Sequence, residues 1–352
     1  MSPRIRRIGL WIALILYAGC GPRQPDWKFR PSFYYWKSTM DLSSDDLAGF
    51  SNWGVKRLYI HFFDVAWDAG RHAALPLKSI RFSQDCRFPA EVVPVVFITG
   101  EALEKTPGPQ RSDLARQIVG RVIAISRAMT RMPIPELQLD CDWTPINRKA
   151  YFDLLGLVRA QLKKAVPAAR LTCTIRLHQV KFVRTTGVPP VDGGVLMVYH
   201  TTSPTQLGTQ DTILDVDTAE SYLDRLADYP LPLDVALPMF TWVVQFNRSH
   251  QPINILTDVG EQDLAQNAAF KAKGKRIYRA VSSSFLGSQR IMEGDTLKVD
   301  GPSMEDARRM VRFIKPRLKE AGGHLILYHY DEANLRRFTD GDPGKLKSLY
   351  NL

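Results

Sequence analysis

Two aspartates stand two residues apart at the end of an alternating apolar run, in the stretch Glu136-Leu-Gln-Leu-Asp-Cys-Asp-Trp-Thr144. Side chains alternate between the two faces of a strand, so Asp140 and Asp142 share one face with Gln138. Two strand rises separate the aspartates by roughly 6.5 Å, so one carboxylate can raise the pKa of the other. A coupled pair of carboxylates suits general acid and general base chemistry.

The next apolar run, at 170–178, has the same polarity. Thr174, Arg176 and His178 share one parity, and we expect them to extend the polar wall that begins with the two aspartates. Charges inside a protein are costly unless they are paired, so this wall is either a satisfied network or a working site. An Asp140–Arg176 bridge that only ties two strands together is the structural alternative.

Aromatic and polar residues also follow several other apolar runs. Rings stack on the apolar faces of sugars while polar groups bond to hydroxyls, so the combination predicts a carbohydrate site. The predicted substrate-binding residues are Trp36, Trp67, Trp143, Arg176, His178, Tyr199, Trp242 and Tyr330.

Glycoside hydrolysis needs a protonated acid beside the leaving oxygen and a second carboxylate, or a substrate group, across the sugar. Asp142, the last carboxylate of its run, is the predicted acid, and Asp140 would orient it or tune its pKa. The opposing carboxylate is Asp64, Asp331 or Glu332, and the sequence does not choose among them.

A metal site is the competing chemistry, because Asp140, Asp142, His61, His178 and His200 offer oxygen and imidazole ligands. No two histidines show an i, i+4 or His-x-His spacing, so we predict neither a metal ion nor another cofactor. A Gly-rich phosphate cradle and a serine nucleophile elbow are also absent.

Eight strand-like runs alternate with helical patterns along the chain. This alternation predicts a (β/α)8 TIM-like barrel, with the polar strand ends at its C-terminal mouth. An open doubly wound sheet is the alternative. The predicted strands are 32–37, 57–63, 92–98, 136–142, 170–178, 195–200, 233–241 and 324–330, and the predicted helices are 44–52, 112–129, 147–165, 218–229 and one that a capping box opens at Ser303.

The segment 246–302 is too long for an ordinary connection between the seventh and eighth strands. It contains strand-like runs of its own at 276–281 and 296–299. We therefore predict a rim insertion here, within one barrel domain that spans 32–352.

The chain begins with basic residues, an apolar run from Ile8 to Ala18 and then Gly19-Cys20, which is the layout of a secretory signal. The run is too short for a transmembrane helix, which needs roughly 20 apolar residues. Leu16-Tyr-Ala-Gly-Cys20 resembles a bacterial lipobox. We predict a lipoprotein signal peptide over 1–19, lipidation of Cys20 and a tether over 20–31. An ordinary signal peptide or an anchoring helix is the alternative.

These features predict an exported protein, lipid-anchored in the cell envelope, and the glycine after Cys20 favours the outer membrane. The formal charge of +11 falls by three, to +8, without the arginines at 4, 6 and 7. The excess is spread out, which argues against nucleic-acid binding and favours a mild attraction to acidic glycans or anionic head groups. If Cys20 carries lipid, the remaining cysteines are odd in number, which argues against a disulfide framework; they are Cys86, Cys141 and Cys173.

Several motifs carry a resemblance to known proteins. They are Tyr34-Tyr-Trp-Lys37, Leu58-Tyr-Ile-His-Phe-Phe-Asp-Val-Ala-Trp-Asp68, Leu137-Gln-Leu-Asp-Cys-Asp-Trp-Thr144, Ile175-Arg-Leu-His-Gln179 and Thr186-Gly-Val-Pro-Pro-Val-Asp-Gly-Gly194. Over 32–200 the chain resembles a family of exported bacterial proteins, often lipoproteins, of unknown function. More distantly it is similar to chitinase-type TIM-barrel glycoside hydrolases, whose fourth strand ends in alternating acids. Their terminal acid, a glutamate, is matched by Asp142.

The leading hypothesis is a lipid-anchored, glycoside hydrolase-like protein that acts on an envelope or environmental glycan. A non-catalytic carbohydrate-binding protein and a structural envelope lipoprotein are the alternatives. The sugar, the linkage and the oligomeric state are not readable from the sequence.

Overall fold

The computed structural model describes residues 27–83, 91–129, 133–205, 207–208 and 210–352. The predicted signal peptide, the lipidation site at Cys20 and most of the predicted tether lie outside these residues, as does Cys86. Among the described helices, none is long and apolar enough to cross a bilayer.

Eight parallel strands form a closed barrel, because the first strand pairs with both the second and the eighth. The remaining neighbours follow chain order around the barrel. This confirms the TIM-like barrel and rules out the open sheet. The barrel strands are Arg30–Tyr35, Arg57–Asp68, Glu91–Ile98, Glu136–Asp140, Arg170–Arg176, Gly193–Met197, Leu233–Pro238 and His324–Tyr328.

Helices cover the outside of the barrel. In Arg148–Ala165, Leu154, Val158 and Leu162 are fully buried against the sheet. The predicted capping box opens Met304–Ile314, where Ser303 Oγ accepts from the Asp306 amide and the Asp306 carboxylate accepts from the Ser303 amide. The helices are Ser44–Trp53, Gly100–Lys105, Arg111–Met129, Arg148–Ala165, Leu177–Lys181, Val183–Thr186, Val216–Tyr222, Met304–Ile314, Glu332–Phe338 and Lys345–Tyr350.

Two connections depart from the strand-helix repeat. The second strand turns back into Ala73–Leu77, which pairs with it antiparallel. The fifth strand is followed only by the short helices Leu177–Lys181 and Val183–Thr186. The short strands Thr39–Met40 and Arg81–Phe82 form a separate parallel pair.

The rim insertion is a five-stranded sheet with an apolar cluster of its own. It starts at Trp242, earlier than the predicted position 246, because Trp242 pairs with Asp300 at the other end of the segment. The predicted seventh strand therefore ends at Pro238 instead of 241. The strands of the sheet are Trp242–Phe246, Pro252–Leu256, Phe270–Gly274, Ile277–Ala280 and Thr296–Asp300; the helix Glu261–Ala265 and the hairpin of Ser284–Leu286 with Gln289–Ile291 belong to the same segment.

The N-terminal end of the barrel interior, which we call the barrel floor, holds a buried charge network. Arg57 Nη1 lies 3.2 Å from Glu136 Oε2, and Thr172 donates to the other carboxylate oxygen at 2.7 Å. Asp234 accepts from the Tyr59 hydroxyl and from the His324 amide. Burial raises the pKa of both carboxyls and lowers the pKa of His324 to about 2. Hydrogen bonds thus compensate the burial of the two carboxyls.

Candidate functional site

Two carboxylates mark the C-terminal end of the fourth strand at different depths. Asp140 is buried in the lumen, where its Oδ1 accepts a hydrogen bond from Thr174 Oγ1 at 2.7 Å. Burial raises the pKa of Asp140, and the Arg176 guanidinium opposes this rise. Because its pKa is raised, Asp140 keeps its proton to a higher pH than an ordinary aspartate. Asp142, in contrast, lies beyond the strand end with 58% of its side chain exposed.

Arg176 pairs with the outer of the two aspartates. Its Nε donates to Asp142 Oδ1, and its guanidinium lies 5.7 Å from the centroid of the Tyr199 ring. The Asp140–Arg176 bridge considered as the structural alternative does not form: Asp140 accepts a hydrogen bond from Thr174, and Arg176 pairs with Asp142. Arg176 therefore forms its ion pair with Asp142, the carboxylate that the sequence predicts as the general acid.

One side of the mouth is formed by the first two strands. Trp36 stacks on His61 with ring centroids 4.5 Å apart, and His61 Nε2 lies 2.9 Å from Asp64 Oδ1. The register pairs Asp64 with Phe97, and Phe97 with Asp140. Two strand spacings, roughly 9.6 Å, therefore separate the backbones at Asp64 and Asp140.

The opposite side is formed by the sixth strand end and the insertion. Trp242 stacks on His200 with ring centroids 5.8 Å apart and an interplanar angle of 11°. Asp300, which is buried, accepts hydrogen bonds from Trp242 Nε1 and from the Thr212 hydroxyl. The insertion therefore supplies one aromatic ring of the mouth and holds its orientation.

Between these two sides lie further rings. Tyr199 stacks on Tyr328 with centroids 5.2 Å apart, and Phe240 meets both of them edge-on. Trp36 also contacts Tyr328, so the rings form one continuous arc around the mouth. We call this set the aromatic arc; its members are Trp36, His61, Tyr199, His200, Phe240, Trp242 and Tyr328.

A cavity of about 250 Å³ opens beside the arc. His178 lies here on the short helix Leu177–Lys181, not on the strand that the sequence predicts. Partial burial lowers the pKa of both His178 and His200. The lining residues, which we call the Arg176 cavity, are Asp142, Arg176, Leu177, His178, Tyr199, His200, Thr201 and Tyr222.

Three predicted substrate-binding residues lie in the outer core instead of the mouth. Trp143 is fully buried, stacks on Tyr151 and donates from Nε1 to the Thr186 carbonyl. Tyr330 is buried among outer-core rings and its hydroxyl donates to Asp46. Trp67 also packs on the outer core. Trp143 shares the outward parity of Cys141, and an irregularity between His61 and Phe63 turns Trp67 outward.

Two of the candidate opposing carboxylates have partners away from the arc. Glu332 lies in the first turn of Glu332–Phe338, pairs with Arg336 at 3.0 Å and is largely exposed. Asp331 caps the same helix and pairs with Lys37 at 2.7 Å. Of the three candidates, only Asp64 is joined by direct contacts to the aromatic arc.

Two residues that help to form the mouth, Phe240 and Asp300, are not identified from the sequence. Phe240 stands two residues before Trp242, and the aromatic pair Phe240-Thr-Trp242 was a readable signal. Asp300 carries no local signal, because its contact with Trp242 depends on the folding of the whole insertion. Within the described residues, no group of three or more histidine, cysteine, aspartate or glutamate side chains could hold a metal ion.

The comparisons with known proteins identify the fold. No family model matches the chain, and no curated protein matches its sequence. Among solved structures it is similar to the Bacillus cereus spore cortex-lytic enzyme SleL, with a TM-score of 0.53, 15% identity, and coverage of 93% of this chain and 75% of that chain. It is also similar to a Nicotiana tobaccum class V chitinase in complex with NAG4 (TM-score 0.52, 14% identity, 92% and 99% coverage) and a Chromobacterium violaceum chitinase (0.53, 11%, 89% and 98%). This chain therefore shares the barrel fold of these enzymes.

Proposed function

We propose that this protein binds a glycan at the C-terminal mouth of its barrel. The aromatic arc carries the proposal: stacked rings line the mouth on both sides of a hydrogen-bonding wall that contains Asp140 and Arg176. Rings of this kind stack on the apolar faces of sugars, and polar groups between them fix orientation. The chitinase-like neighbours, one of them in complex with NAG4, support a glycan as the ligand class.

Hydrolysis is the second candidate function, and the environment of Asp140 favours it. Burial raises the pKa of this carboxyl, as a general acid requires. Asp64 is the candidate opposing carboxylate, because it contacts the aromatic arc through His61 and lies two strand spacings from Asp140 in the barrel. In this account Asp140, not Asp142, donates the proton.

A glycan panel tests both functions when retention and product release are measured together. Binding without product from any glycan supports a carbohydrate-binding protein. If product forms, Asp140→Asn is expected to abolish its release and preserve retention, while Asp142→Asn preserves both. Because the folded pKa of Asp140 is raised, the rate should fall as the pH rises through that value. Absence of retention across the panel would remove the proposal.

We further propose that the protein is exported and held in the envelope by a lipid on Cys20. The proposal rests on the apolar run from Ile8 to Ala18 and the lipobox-like Leu16-Tyr-Ala-Gly-Cys20. Two acyl signals are needed for stable anchoring, and a lipidated N-terminal cysteine supplies them.

Cys20→Ser is expected to move the protein from the membrane fraction to the soluble fraction of the envelope. Metabolic labelling with a fatty acid should mark the parent and not the variant. Cys173→Ser, at a buried thiol in the barrel, is the control and should leave labelling unchanged. Equal labelling of the parent and Cys20→Ser would contradict the anchor.

A further inference from the structure

We infer that the Arg176 cavity binds the carboxylate of an acidic sugar, so that the glycan at the mouth is an acidic one. The inference rests on the proposed glycan binding and names the class of the ligand. The cavity lies beside Tyr199 and His200 of the aromatic arc, so a sugar stacked on the arc can place a substituent in it. Its volume of about 250 Å³ suits such a substituent, since pockets for drug-sized ligands span roughly 300–1,000 Å³.

The guanidinium of Arg176 is held in place but keeps free donors. Nε bonds to Asp142, the plane lies over Tyr199, and the backbone amide of Arg176 donates to Gln179 Oε1. Nη1 and Nη2 form no hydrogen bond with any residue that the structure describes. Two adjacent N–H donors of a guanidinium match the two oxygens of a carboxylate. Arg176 therefore presents a ready carboxylate-binding edge.

Apart from Asp142, the described residues that line the cavity carry no negative charge. His178 and His200 have lowered pKa values and act as neutral hydrogen-bonding groups near pH 7. Among the described lining residues, Asp142 alone carries a carboxylate. At the rim, Lys181 Nζ lies 4.7 Å from the centroid of the Tyr222 ring and adds a second cation. The surplus of basic residues in the chain acts in the same direction, because it attracts anions over longer distances.

Asp142 is an internal competitor for the same guanidinium. More than half of its side chain is exposed, so its carboxylate is free to turn into solvent when another carboxylate reaches Arg176. Removal of the Asp142 charge should therefore strengthen the binding of an acidic glycan, whereas removal of the Arg176 charge should weaken it. A merely structural ion pair would not give opposite effects from its two partners.

The test compares each acidic oligosaccharide with its own neutral form by calorimetric titration. The probes are oligomers of galacturonate, of alginate and of a muramic-acid-containing disaccharide, each also as its methyl ester. The parent should bind at least one acid about tenfold more tightly than its ester, the weakest effect expected for a hydrogen bond to a charged group. Salt should weaken the acidic interaction more than the neutral one.

The variants separate the possible outcomes. Arg176→Met should lose about tenfold in affinity for the acid and much less in affinity for the ester, and Asp142→Asn should gain affinity for the acid. Arg116→Met, at an exposed helical ion pair, is the matched control and should change neither. Equal binding of acid and ester by the parent, or a loss with Asp142→Asn, overturns the inference and leaves glycan binding standing. Binding of no probe and no panel glycan overturns both.

Discussion

Replacing Arg57 by methionine is expected to lower the free energy of unfolding by about 3–5 kcal/mol at pH 7. Arg57 contacts Glu136 in the barrel floor, and the Glu136 side chain has only 2% of its surface exposed. Without the guanidinium, a buried carboxylate would lose its compensating charge. Urea denaturation of the variant and the parent measures the difference.

The deficit of Arg57→Met should depend on pH in a defined direction. Burial raises the folded pKa of Glu136 above its value in the unfolded chain. A carboxyl of this kind contributes stability below the unfolded pKa, and the contribution is lost as the pH rises through the folded pKa. Loss of Arg57 raises the folded pKa further, so the deficit should shrink as the pH falls from 7 toward the ordinary carboxyl range.

Two further variants isolate the buried pair. Arg57→Met combined with Glu136→Gln should recover most of the lost stability, because no buried charge then remains unpaired. Arg225→Met, which breaks the exposed pair with Asp228, should cost no more than about 1 kcal/mol. A deficit for Arg57→Met that equals the Arg225→Met control would show that the barrel floor network does not depend on this pairing.

Trp143→Ala is expected to cost about 3–5 kcal/mol of stability and to leave glycan affinity unchanged. The ring is fully buried in the outer core, where it stacks on Tyr151 and contacts Phe152. Truncation to alanine leaves a cavity between the sheet and the helices. It also removes the Nε1 donor that bonds to the Thr186 carbonyl. Thermal unfolding and titration with a retained glycan measure the two effects separately.

Trp67→Ala is the matched comparison for this variant. Part of the Trp67 ring is already in water, so its removal should cost less than the removal of Trp143. A Trp143→Ala protein that is as stable as the parent but has lost glycan binding would contradict the placement of this ring in the outer core.

The strand pattern predicted most of the barrel because the physical signal is local. Alternation along 136–142 places Gln138 and Asp140 in the lumen and Leu137 and Leu139 under the helices, as observed. The same alternation assigns Trp143 to the outside, with Cys141 and Leu139. Trp143 is predicted from the sequence to bind sugar because it is a tryptophan, although its position in the alternation places it on the outer face of the strand.

Other parts of the mouth depend on distant contacts that a strand pattern does not contain. The orientation of Trp67 follows from a register shift near His61, which changes the parity of every later residue of that strand. The Trp242–Asp300 contact joins the two ends of the insertion and forms only when its sheet is complete. The pairing of Arg176 with Asp142 depends on side-chain reach between neighbouring strands, which spacing alone does not determine.

The central claim is that a glycan binds on the aromatic arc, and the most direct test is a calorimetric titration of one retained oligosaccharide. Trp36→Ala combined with Trp242→Ala should reduce the affinity about thirtyfold or more, at about 1–3 kcal/mol for each stacked ring. Trp27→Ala is the control, because this ring packs on Phe29 before the first strand, at the opposite end of the barrel. A folded double variant that binds as tightly as the parent and the control would place the glycan elsewhere and contradict the account.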